Sequence, residues 1–488
     1  MRILIIDIDT LRPDHLGCYG YHRNTSPNID SIAEKGIVFT NYYCSDAPCL
    51  PSRAALVTGK HGIHTGVVNH GGRMADMFSE GKNRGFSDKL RYGSLWGMLS
   101  SNRFHTVSIS TFGGRHGAWW FHAGLNEVYD IGFNGMESAE QVTPVVLDWI
   151  ERNAEKDNWC LHIHYWDPHV PYRVPVEFGN PFEKECLPSW ITDETVEKWK
   201  KCVGGHSALD YGMFGPAEVQ ARFPGHPVMI TDMDAARKMI DGYDCGIKYA
   251  DQHLGIIFDK LATKNILDDM TVIITSDHGE NLGELGCCSE HGTSDYITHR
   301  IPLIIRWPGD MKECIIDDGL HYNIDLLPTL AEMLEIKIPE GIDGISFAKT
   351  IKDGSKCSRE YLVLSQCCHG CQRSVRWNDY IYIRTYHDFY HLYPDEMLFN
   401  ISQDPHEQKN LAFDMPGLCR EAAHLYLKWY DNMMMSSLYF VDPLWMVIKE
   451  GGPFHSRGRL KDYCKRLEKT QRAWAIPELK KRHTQEFI

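Results

Sequence analysis

The chain has 488 residues, which is enough for one large domain with a smaller appendage or for two domains. Its 65 acidic and 51 basic side chains give a formal charge of -14, which argues against a nucleic-acid-binding or anionic-membrane-binding surface. An anionic substrate would therefore need positive charge concentrated in one local site.

The first residues, MRILIIDIDT, enter a strand pattern at once and lack the basic segment, apolar stretch and cleavage site of a secretion signal. No run reaches the ~18 apolar residues that a membrane helix needs. Without a signal, the 16 cysteines fit reduced thiols better than a disulfide set. We therefore predict a cytoplasmic protein that binds neither membrane nor nucleic acid.

Five short apolar runs are predicted to be buried strands: RILIID at the start, HTVSIST (105–111), WCLHIHYWD (159–167), DMTVIITSD (269–277) and IPLIIRWPG (301–309). Helical patterns lie between them, including a long amphipathic helix just before residue 269. Strands that alternate with helices predict an α/β fold with a large, mostly parallel sheet sandwiched by helices. Ligands of such sheets bind beyond the carboxyl ends of the strands.

The pattern changes after a Gly-, Lys- and Asp-rich stretch at 340–360. YLVLSQ, RSVRWNDYIYIRTYHD and EMLFN are typical of short hairpin strands, and helices are predicted from about Gly417 onward. We therefore predict a catalytic α/β domain over residues 1–357. A smaller α+β subdomain over 358–488 is expected to contribute to the substrate pocket.

The segment CCHGCQ (367–372) contains a Cys-x-x-Cys pair, Cys368 and Cys371. A structural zinc site needs four ligands, and no second pair follows at a suitable spacing. Ordinary thiols in a loop are therefore the favoured interpretation, and the same holds for Cys287 and Cys288.

Acidic residues follow two of the predicted strands. Asp7 and Asp9 lie two positions apart, so their side chains point to the same side of the first strand. Asp277 and His278 end another strand. Asp9, Asp277 and His278 can converge on a divalent cation, with Thr10 close by. Each acid taken alone can instead cap a helix or lie in a loop.

The stretch CLPSR, residues 49–53, lies at a strand-to-helix junction. Pro51 and Ser52 make a good helix start, so one interpretation is a helix N-terminus with a buried Cys49. In the other interpretation, Arg53 makes this N-terminus an oxyanion-binding cradle with Cys49 at its mouth. The residues alone favour neither.

Cys-x-Pro-Ser-Arg followed by AALVTGKHGIHTG resembles the signature of the type I sulfatases, in the alkaline-phosphatase-like superfamily. The similarity spans most of the chain, because further ordered motifs match: ILIIDIDTLRPDHLGCYGY, YWDPHVPY, VIITSDHGE, HRIPLIIRWPG and LFNISQDPHEQKNLA. The Asp-Thr-Leu-Arg opening and the GGPFHSRG tail look most like the glycosaminoglycan and carbohydrate sulfatases.

The resemblance implies that Cys49 is oxidised to Cα-formylglycine by a formylglycine-generating enzyme. Pro51 and Arg53 would belong to the sequence that this enzyme recognises. A hydrated aldehyde has two hydroxyls on one carbon: one attacks sulfur and expels the alcohol, and the other loses its proton so that sulfate is eliminated.

The resemblance also implies a metal site formed by Asp9, Asp277, His278 and the modified Cys49. Many relatives have a second acid where Thr10 stands. Calcium is the expected ion for an oxygen-rich site, while one ligand nitrogen and one lost carboxylate make manganese or magnesium the alternatives.

Several cations match catalytic positions of the family. Arg53 is expected to stabilise the modified side chain, with Lys60 close behind it. Arg115 and His116, in GGRHGAWWFHAG (113–124), stand where relatives have a Lys-x-His pair. The alternative for Arg115 and His116 is an ordinary loop position.

Two histidines match sulfate-binding positions. His169 lies in DPHVPY, and His291 stands where many relatives have a lysine that protonates the leaving oxygen. Neighbouring anions would favour a protonated His291. Each of these histidines, taken alone, could also be an ordinary loop residue.

Four further residues are predicted to contact substrate. His299 and Arg300 stand immediately before the apolar run IPLIIRWPG (301–309). His455 and Arg457 lie in KEGGPFHSRGRL (449–460), a Gly-rich loop expected to fold over the site. A solvated basic loop is the alternative. A sugar acid needs cations beyond those that hold sulfate.

The leading hypothesis is a sulfuric ester hydrolase acting on a small sulfated carbohydrate. The resemblance suggests the 2-O-sulfate of an unsaturated uronic acid from a glycosaminoglycan. The alternatives are a phosphonate monoester or phosphodiester hydrolase of the same superfamily and an inactive carbohydrate-binding relative.

Overall fold

The computed structural model describes residues 1–79, 87–219, 222–309 and 315–487. Within these ranges the strands are β1 (Arg2–Ile8), β2 (Ile37–Phe39), β3 (Tyr42–Tyr43), β4 (Asp46–Ala47), β5 (His105–Ile109), β6 (Glu127–Tyr129), β7 (Trp159–Tyr165), β8 (Thr271–Thr275), β9 (Asn281–Leu282), β10 (Cys288–Glu290), β11 (Leu303–Arg306), β12 (Ile315–Asp317), β13 (His321–Tyr322), β14 (Tyr361–Gln366), β15 (Cys371–Trp377), β16 (Tyr380–His387) and β17 (Glu396–Asn400). The α-helices are α1 (Pro27–Ala33), α2 (Cys49–Thr58), α3 (Gly62–Thr65), α4 (Ser87–Gly93), α5 (Leu95–Ser101), α6 (Phe112–His116), α7 (Ala139–Asn153), α8 (Asp193–Trp199), α9 (Met233–Thr263), α10 (Tyr296–His299), α11 (Leu326–Met333), α12 (Ala348–Asp353), α13 (Pro416–Ser436), α14 (Pro443–Lys449), α15 (Leu460–Lys469) and α16 (Ile476–Arg482).

The centre of the molecule is an eight-stranded sheet with the order β12-β2-β11-β8-β1-β7-β5-β6. The strands pair in parallel, except that β11 runs antiparallel to both β2 and β8. Four of these strands, β5, β7, β8 and β11, lie within the apolar runs predicted after the first one. The predicted fold, a large mostly parallel sheet with helices, is confirmed.

Helices cover both faces of this sheet, as the alternation of side chains along β1 shows. Leu4 and Ile6 belong to one apolar cluster with residues of α1, α7 and α9. Ile3 and Ile5 point the other way, into a cluster with residues of α2, α5 and α11. A strand buried on both faces has to be apolar at successive positions, which explains its continuous apolar sequence.

The long amphipathic helix predicted before residue 269 is α9. Its side chains three and four positions apart are fully buried at Ile240, Tyr243, Ile247 and Leu254. The Asp232 carboxylate accepts a hydrogen bond from the Ala235 N–H and so caps the first turn. The apolar stripe therefore attaches α9 to the central sheet.

A second, five-stranded sheet is formed by β17-β16-β15-β14-β4. Its four C-terminal strands are antiparallel hairpins, as their sequences predicted. The fifth, β4, comes from the N-terminal part of the chain and pairs in parallel with β14, Asp46 opposite Ser365 and Ala47 opposite Gln366. Cys49 begins α2 two residues after β4, so the C-terminal sheet helps to fix the position of Cys49.

A buried ion pair joins the C-terminal sheet to α14. Arg373 donates to both carboxylate oxygens of Asp442 at 2.7 Å, and Asp442 also accepts from the Leu444 N–H. Arg373→Ala is expected to lower the free energy of unfolding by about 3–5 kcal/mol, because the buried carboxylate loses its counter-charge. Urea unfolding measures this change. Arg384→Ala, on the exposed face of β16, is the control, and equal losses in both variants would disprove the role of the pair.

Every cysteine in the described ranges is a free thiol. Cys287, Cys288, Cys368 and Cys371 are buried, which agrees with their interpretation as ordinary thiols. Among the described helices, none combines the length and the apolar character needed to span a bilayer.

Candidate active site

Cys49 is the first residue of α2 and is 3% exposed. Its Sγ lies 3.1 Å from Nε2 of His278. One ligand atom from each of Cys49, Asp9, Asp277 and His278 lies within 4.8 Å of the others. The cysteine predicted to carry the chemistry therefore meets residues from the ends of β1 and β8.

Arg53, one turn further along α2, is fully buried among acids. Its guanidinium donates to Asp7 at 3.0 Å, to Asp9 at 3.1 Å and to Asp277. It also contacts Nε2 of His164 at 2.7 Å. Asp7 and Asp9 both reach Arg53 because alternate side chains of β1 share one side of the strand. These contacts fix the position of the Arg53 side chain one helical turn after Cys49.

Electrostatics keeps these acids ionised. Burial opposes ionisation, but Arg53 and a hydrogen bond from His162 lower the pKa of Asp7 to about 2. Burial and the Cys49 sulfur also act to raise the pKa of Asp9, and Arg53 outweighs them, so that this pKa is lowered. Both carboxylates are therefore charged at neutral pH.

The residues at this point fit a divalent cation. Asp9 Oδ1 and Thr10 Oγ1 are buried without a hydrogen-bond partner among the described residues. The carboxylates of Asp7, Asp9 and Asp277 all converge on one guanidinium. Thr10 has a φ of 58°, a strained value for a β-branched residue, and its N–H donates to Asp277 at 3.2 Å. Hard oxygen donors with one imidazole suit calcium, magnesium or manganese.

His291 places a ring nitrogen within 4.8 Å of the Cys49 sulfur and of a ring nitrogen of His278. The His169 ring lies beside that of His291, with the two ring centres 5.6 Å apart. His291 contacts Glu290 through Nε2 at 2.9 Å and Glu280 through Nδ1 at 3.3 Å. Burial acts to lower the pKa of His291, but Glu290, Cys49 and Glu280 raise it well above its ordinary value.

A further group, termed here the outer histidines, comprises His70, His116, His369 and His455. His455 stacks on His369 with ring centres 4.4 Å apart, and its Nε2 lies 2.9 Å from Nδ1 of His70. The His116 ring is 5.3 Å from that of His70, and the His369 ring is 5.6 Å from that of His291. The loop that carries His455 thus folds back toward the site.

Sequence reasoning missed His70, His369 and Glu290. Glu290 contacts three histidines, since His206 lies 2.9 Å and His369 3.6 Å from it, in addition to His291. His70 and His369 come from separate loops and Glu290 ends β10, and no catalytic motif marks any of them. His369 lies within CCHGCQ, whose cysteines suggested only a possible zinc half-site.

Lys60 does not lie where the sequence predicted. It follows the C-terminal end of α2, whereas Cys49 is at the N-terminal end. Lys60 is seven residues after Arg53, which is about 10 Å along a helix, so Lys60 does not lie directly behind Arg53. It lines a separate cavity of about 600 Å³ with Thr65 and Phe78.

His299 and Arg300 also differ from their predicted role as substrate contacts. His299 is fully buried and bonds the Cys44 carbonyl at 2.8 Å, and burial lowers its pKa to about 4. Arg300 donates to the Thr40 carbonyl at 2.9 Å. Arg457 is partly exposed, 3.6 Å from Glu450, and its predicted contact with substrate stays a prediction. The first two are thus structural residues.

Arg115 and His116, which the sequence predicted to act as a pair, both lie at the end of α6 but contact different groups. His116 points to the outer histidines, while Arg115 lies 4.8 Å over the Trp166 ring and donates to the carbonyls of Asn134 and Gly135. The rings of Phe112 and Trp166 also lie 4.7 and 5.9 Å from the Arg53 guanidinium. Arg115 therefore belongs to the wall of the site rather than to its centre.

A buried cysteine at a helix N-terminus, set among strand-end acids and histidines, is the arrangement of a metal-assisted ester hydrolase. A sequence model of the sulfatase family matches residues 2–336, more than half of the chain. A second model, the C-terminal part of N-sulphoglucosamine sulphohydrolase, matches residues 295–423. The chain therefore belongs to the sulfatase family and is a sulfuric ester hydrolase, which confirms the resemblance drawn from its motifs.

Individual relatives agree with this family. Human iduronate 2-sulfatase is 27% identical over 392 residues, which cover 70% of each protein. A solved structure of BT4656 in complex with its substrate D-glucosamine-2-N,6-O-disulfate superposes with a TM-score of 0.67 at 18% identity, covering 88% of this chain and 97% of the other. The phosphonate monoester hydrolase of Silicibacter pomeroyi shares the fold as well, with a TM-score of 0.68 at 19% identity over 90% of this chain and 96% of the other.

Proposed function

We propose that this sulfatase removes sulfate from a small sulfated saccharide, with the sulfate group bound between Cys49, His169 and His291. The observation that carries the proposal is the convergence of these three residues with Asp9, Asp277 and His278 at one helix N-terminus. The four outer histidines, which are partly or wholly buried, lie beside this group.

Conversion of Cys49 to formylglycine would supply an aldehyde hydrate as the nucleophile, and a divalent cation held by Asp9, Asp277 and His278 would polarise the sulfate. Calcium is the ion we propose, with manganese or magnesium as alternatives. The unpartnered oxygens of Asp9 and Thr10 support a cation at this point.

The chain's own residues have distinct tasks. Arg53 holds Asp9 and Asp277 in place and offsets part of their charge. His169 would orient the sulfate oxygens. His291, contacted by Glu280 and Glu290, would hold the proton that the departing alcohol oxygen requires. The carboxylate contacts support this task because they stabilise the protonated ring.

The names of the relatives guide the choice of substrate. The similarity to iduronate 2-sulfatase supports a 2-O-sulfated uronic acid, such as the unsaturated product of glycosaminoglycan cleavage. The structural neighbour solved with a sulfated glucosamine makes glucosamine sulfates the next compounds to test. We further propose a cytoplasmic location and import of the saccharide, which the free thiols support.

The test is peptide mass spectrometry across Cys49 on protein coexpressed with a formylglycine-generating enzyme. We expect a loss of roughly 18 Da, thiol to aldehyde. The modified protein is then assayed on matched sulfate and phosphonate esters, because related enzymes of this fold act on phosphonates. An unmodified cysteine, or faster turnover of the phosphonate, would overturn the proposal.

Metal binding gives a readout that does not depend on activity. Asp9→Asn and Asp277→Asn each remove a carboxylate from the proposed site, and we expect both variants to lose the bound divalent cation after dialysis against a chelator and back-titration. Atomic emission spectroscopy measures the metal content per chain. Asp148→Asn, on the exposed side of α7, is the control. Wild-type metal content in both variants would show that the cation binds elsewhere.

A further inference from the structure

The chemistry proposed at sulfur gives no task to three of the outer histidines, His70, His369 and His455. They come from the loop after α3, the β14–β15 turn and the loop after α14. Separate segments of the chain thus bring imidazoles together beside Cys49. Such convergence calls for an explanation other than local sequence preference.

The arrangement of burial shows which way the alcohol part of the ester must extend. Asp9, Arg53 and His278, on the inner side of Cys49, are fully buried and closely packed. His70 and His455 are partly exposed. A bound ester that places its sulfate at Cys49 therefore directs its alcohol toward the outer histidines.

Hydrogen-bond geometry assigns the tautomers of two of these rings. The Leu50 N–H, which can only donate, faces Nε2 of His70 at a long 3.5 Å. The His70 hydrogen is then on Nδ1, which donates to Nε2 of His455 at 2.9 Å. This arrangement leaves the His455 hydrogen on Nδ1. Within the described residues that N–H has no acceptor.

The contact between His70 and His455 also limits the positive charge that the outer histidines can carry. Two imidazolium rings would both bear hydrogen at the facing nitrogens, so the 2.9 Å contact between His70 and His455 allows at most one of them to be charged. Burial also lowers the pKa of His455 to about 3.

His369 offers an unsatisfied polar atom. The residue is 2% exposed, and its Nδ1 has no hydrogen-bond partner within the described residues. Leaving such a nitrogen unpaired in the free protein is costly unless a ligand or water pairs with it. Uncharged nitrogens that donate and accept match the hydroxyl groups of a sugar.

We propose that His369 and His455, oriented by His70, form the subsite for the sugar of the ester and bind its free hydroxyl groups. The ligand class is a sulfated pyranose, recognised by its hydroxyls rather than by a charge. This inference rests on the proposed function and names how that site selects a saccharide over other sulfate esters.

The experiment removes one side of the contact at a time. The substrates are 2-O-sulfated unsaturated uronic acid, N-acetylglucosamine 6-sulfate, analogues of each that lack one hydroxyl, and an aryl sulfate. For the better sugar, His455→Ala should lower kcat/KM about ten-fold relative to the aryl sulfate. With the analogue that lacks the contacted hydroxyl, the kcat/KM of wild-type protein should fall by a similar factor. The kcat/KM of His455→Ala should not fall further with this analogue, because both changes remove the same contact.

Two further variants guard against trivial effects. His455→Asn keeps a donor near the position of Nδ1 and should recover most of the loss, whereas His105→Ala, an exposed histidine paired with Glu127, should change nothing. If His455→Ala lowers kcat/KM equally for the sugar and the aryl sulfate, the proposed subsite is overturned while the proposed function stands. The same holds if the effects of the variant and of the missing hydroxyl are additive. If wild-type protein hydrolyses the aryl sulfate but none of the sugars, the saccharide function fails and the subsite fails with it.

Discussion

Replacement of Cys49 by alanine is expected to lower kcat for sulfate ester hydrolysis by a factor of about 10⁴ or more, because alanine has no thiol to be oxidised and so cannot give the aldehyde hydrate proposed as the nucleophile. Cys49→Ser should lose nearly as much, because a serine sulfate cannot collapse to an aldehyde and so cannot release sulfate by elimination. Single-turnover measurements should show trapping of one sulfate per chain in Cys49→Ser and none in Cys49→Ala.

The alanine change is small, so the fold should persist. Cys49 is 3% exposed and touches polar groups such as His278, which limits the packing that its sulfur supplies. Cys160→Ala, in the core of β7, is the matched control, because it removes an equally buried thiol away from the acids. Turnover in Cys49→Ala at more than a few per cent of wild type would rule out the proposed nucleophile.

Replacement of Arg53 by alanine is the second large effect, and it acts on stability as well as on activity. Three buried carboxylates would lose the guanidinium that they share, so we expect the free energy of unfolding to fall by about 3–5 kcal/mol. Added calcium should recover more stability in Arg53→Ala than in wild type, because the cation then offsets a larger negative charge.

Urea unfolding with and without calcium measures both parts of this prediction. Arg53→Lys keeps the charge but cannot reach three carboxylates at once, so its loss of stability should be intermediate. Arg152→Ala, in an exposed pair with Asp148, should change stability by less than about 0.5 kcal/mol. Stability that is unchanged in Arg53→Ala would show that the acids are not charged in the folded protein.

The fold was predictable because its strands are buried on both faces, which makes their sequences continuous apolar runs. The inner part of the site was predictable for a related reason: parallel strands end at one edge, so Asp9 and Asp277 had to lie near each other. Their meeting with Cys49 needed the family motif, because nothing local in CLPSR distinguishes an oxyanion cradle from an ordinary helix start.

The errors have equally physical causes. Lys60 is close to Arg53 in sequence, but the helix between them carries it away from the site. His299 and Arg300 lie in the segment HRIPLIIRWPG, which resembles a family motif. The His299 ring nevertheless contacts the Cys44 carbonyl, and Arg300 donates to the Thr40 carbonyl. His70 and His369 were missed because their meeting depends on packing between distant segments, which no spacing in the sequence records.

The pairing of β4 with β14 sets an order of events during synthesis. Ser365 is made about 320 residues after Asp46, so the partner of the strand that ends two residues before Cys49 is synthesised late. In the folded protein Cys49 is 3% exposed. If Cys49 is converted to formylglycine as proposed, the modifying enzyme would therefore have to act before the nascent chain completes its second sheet.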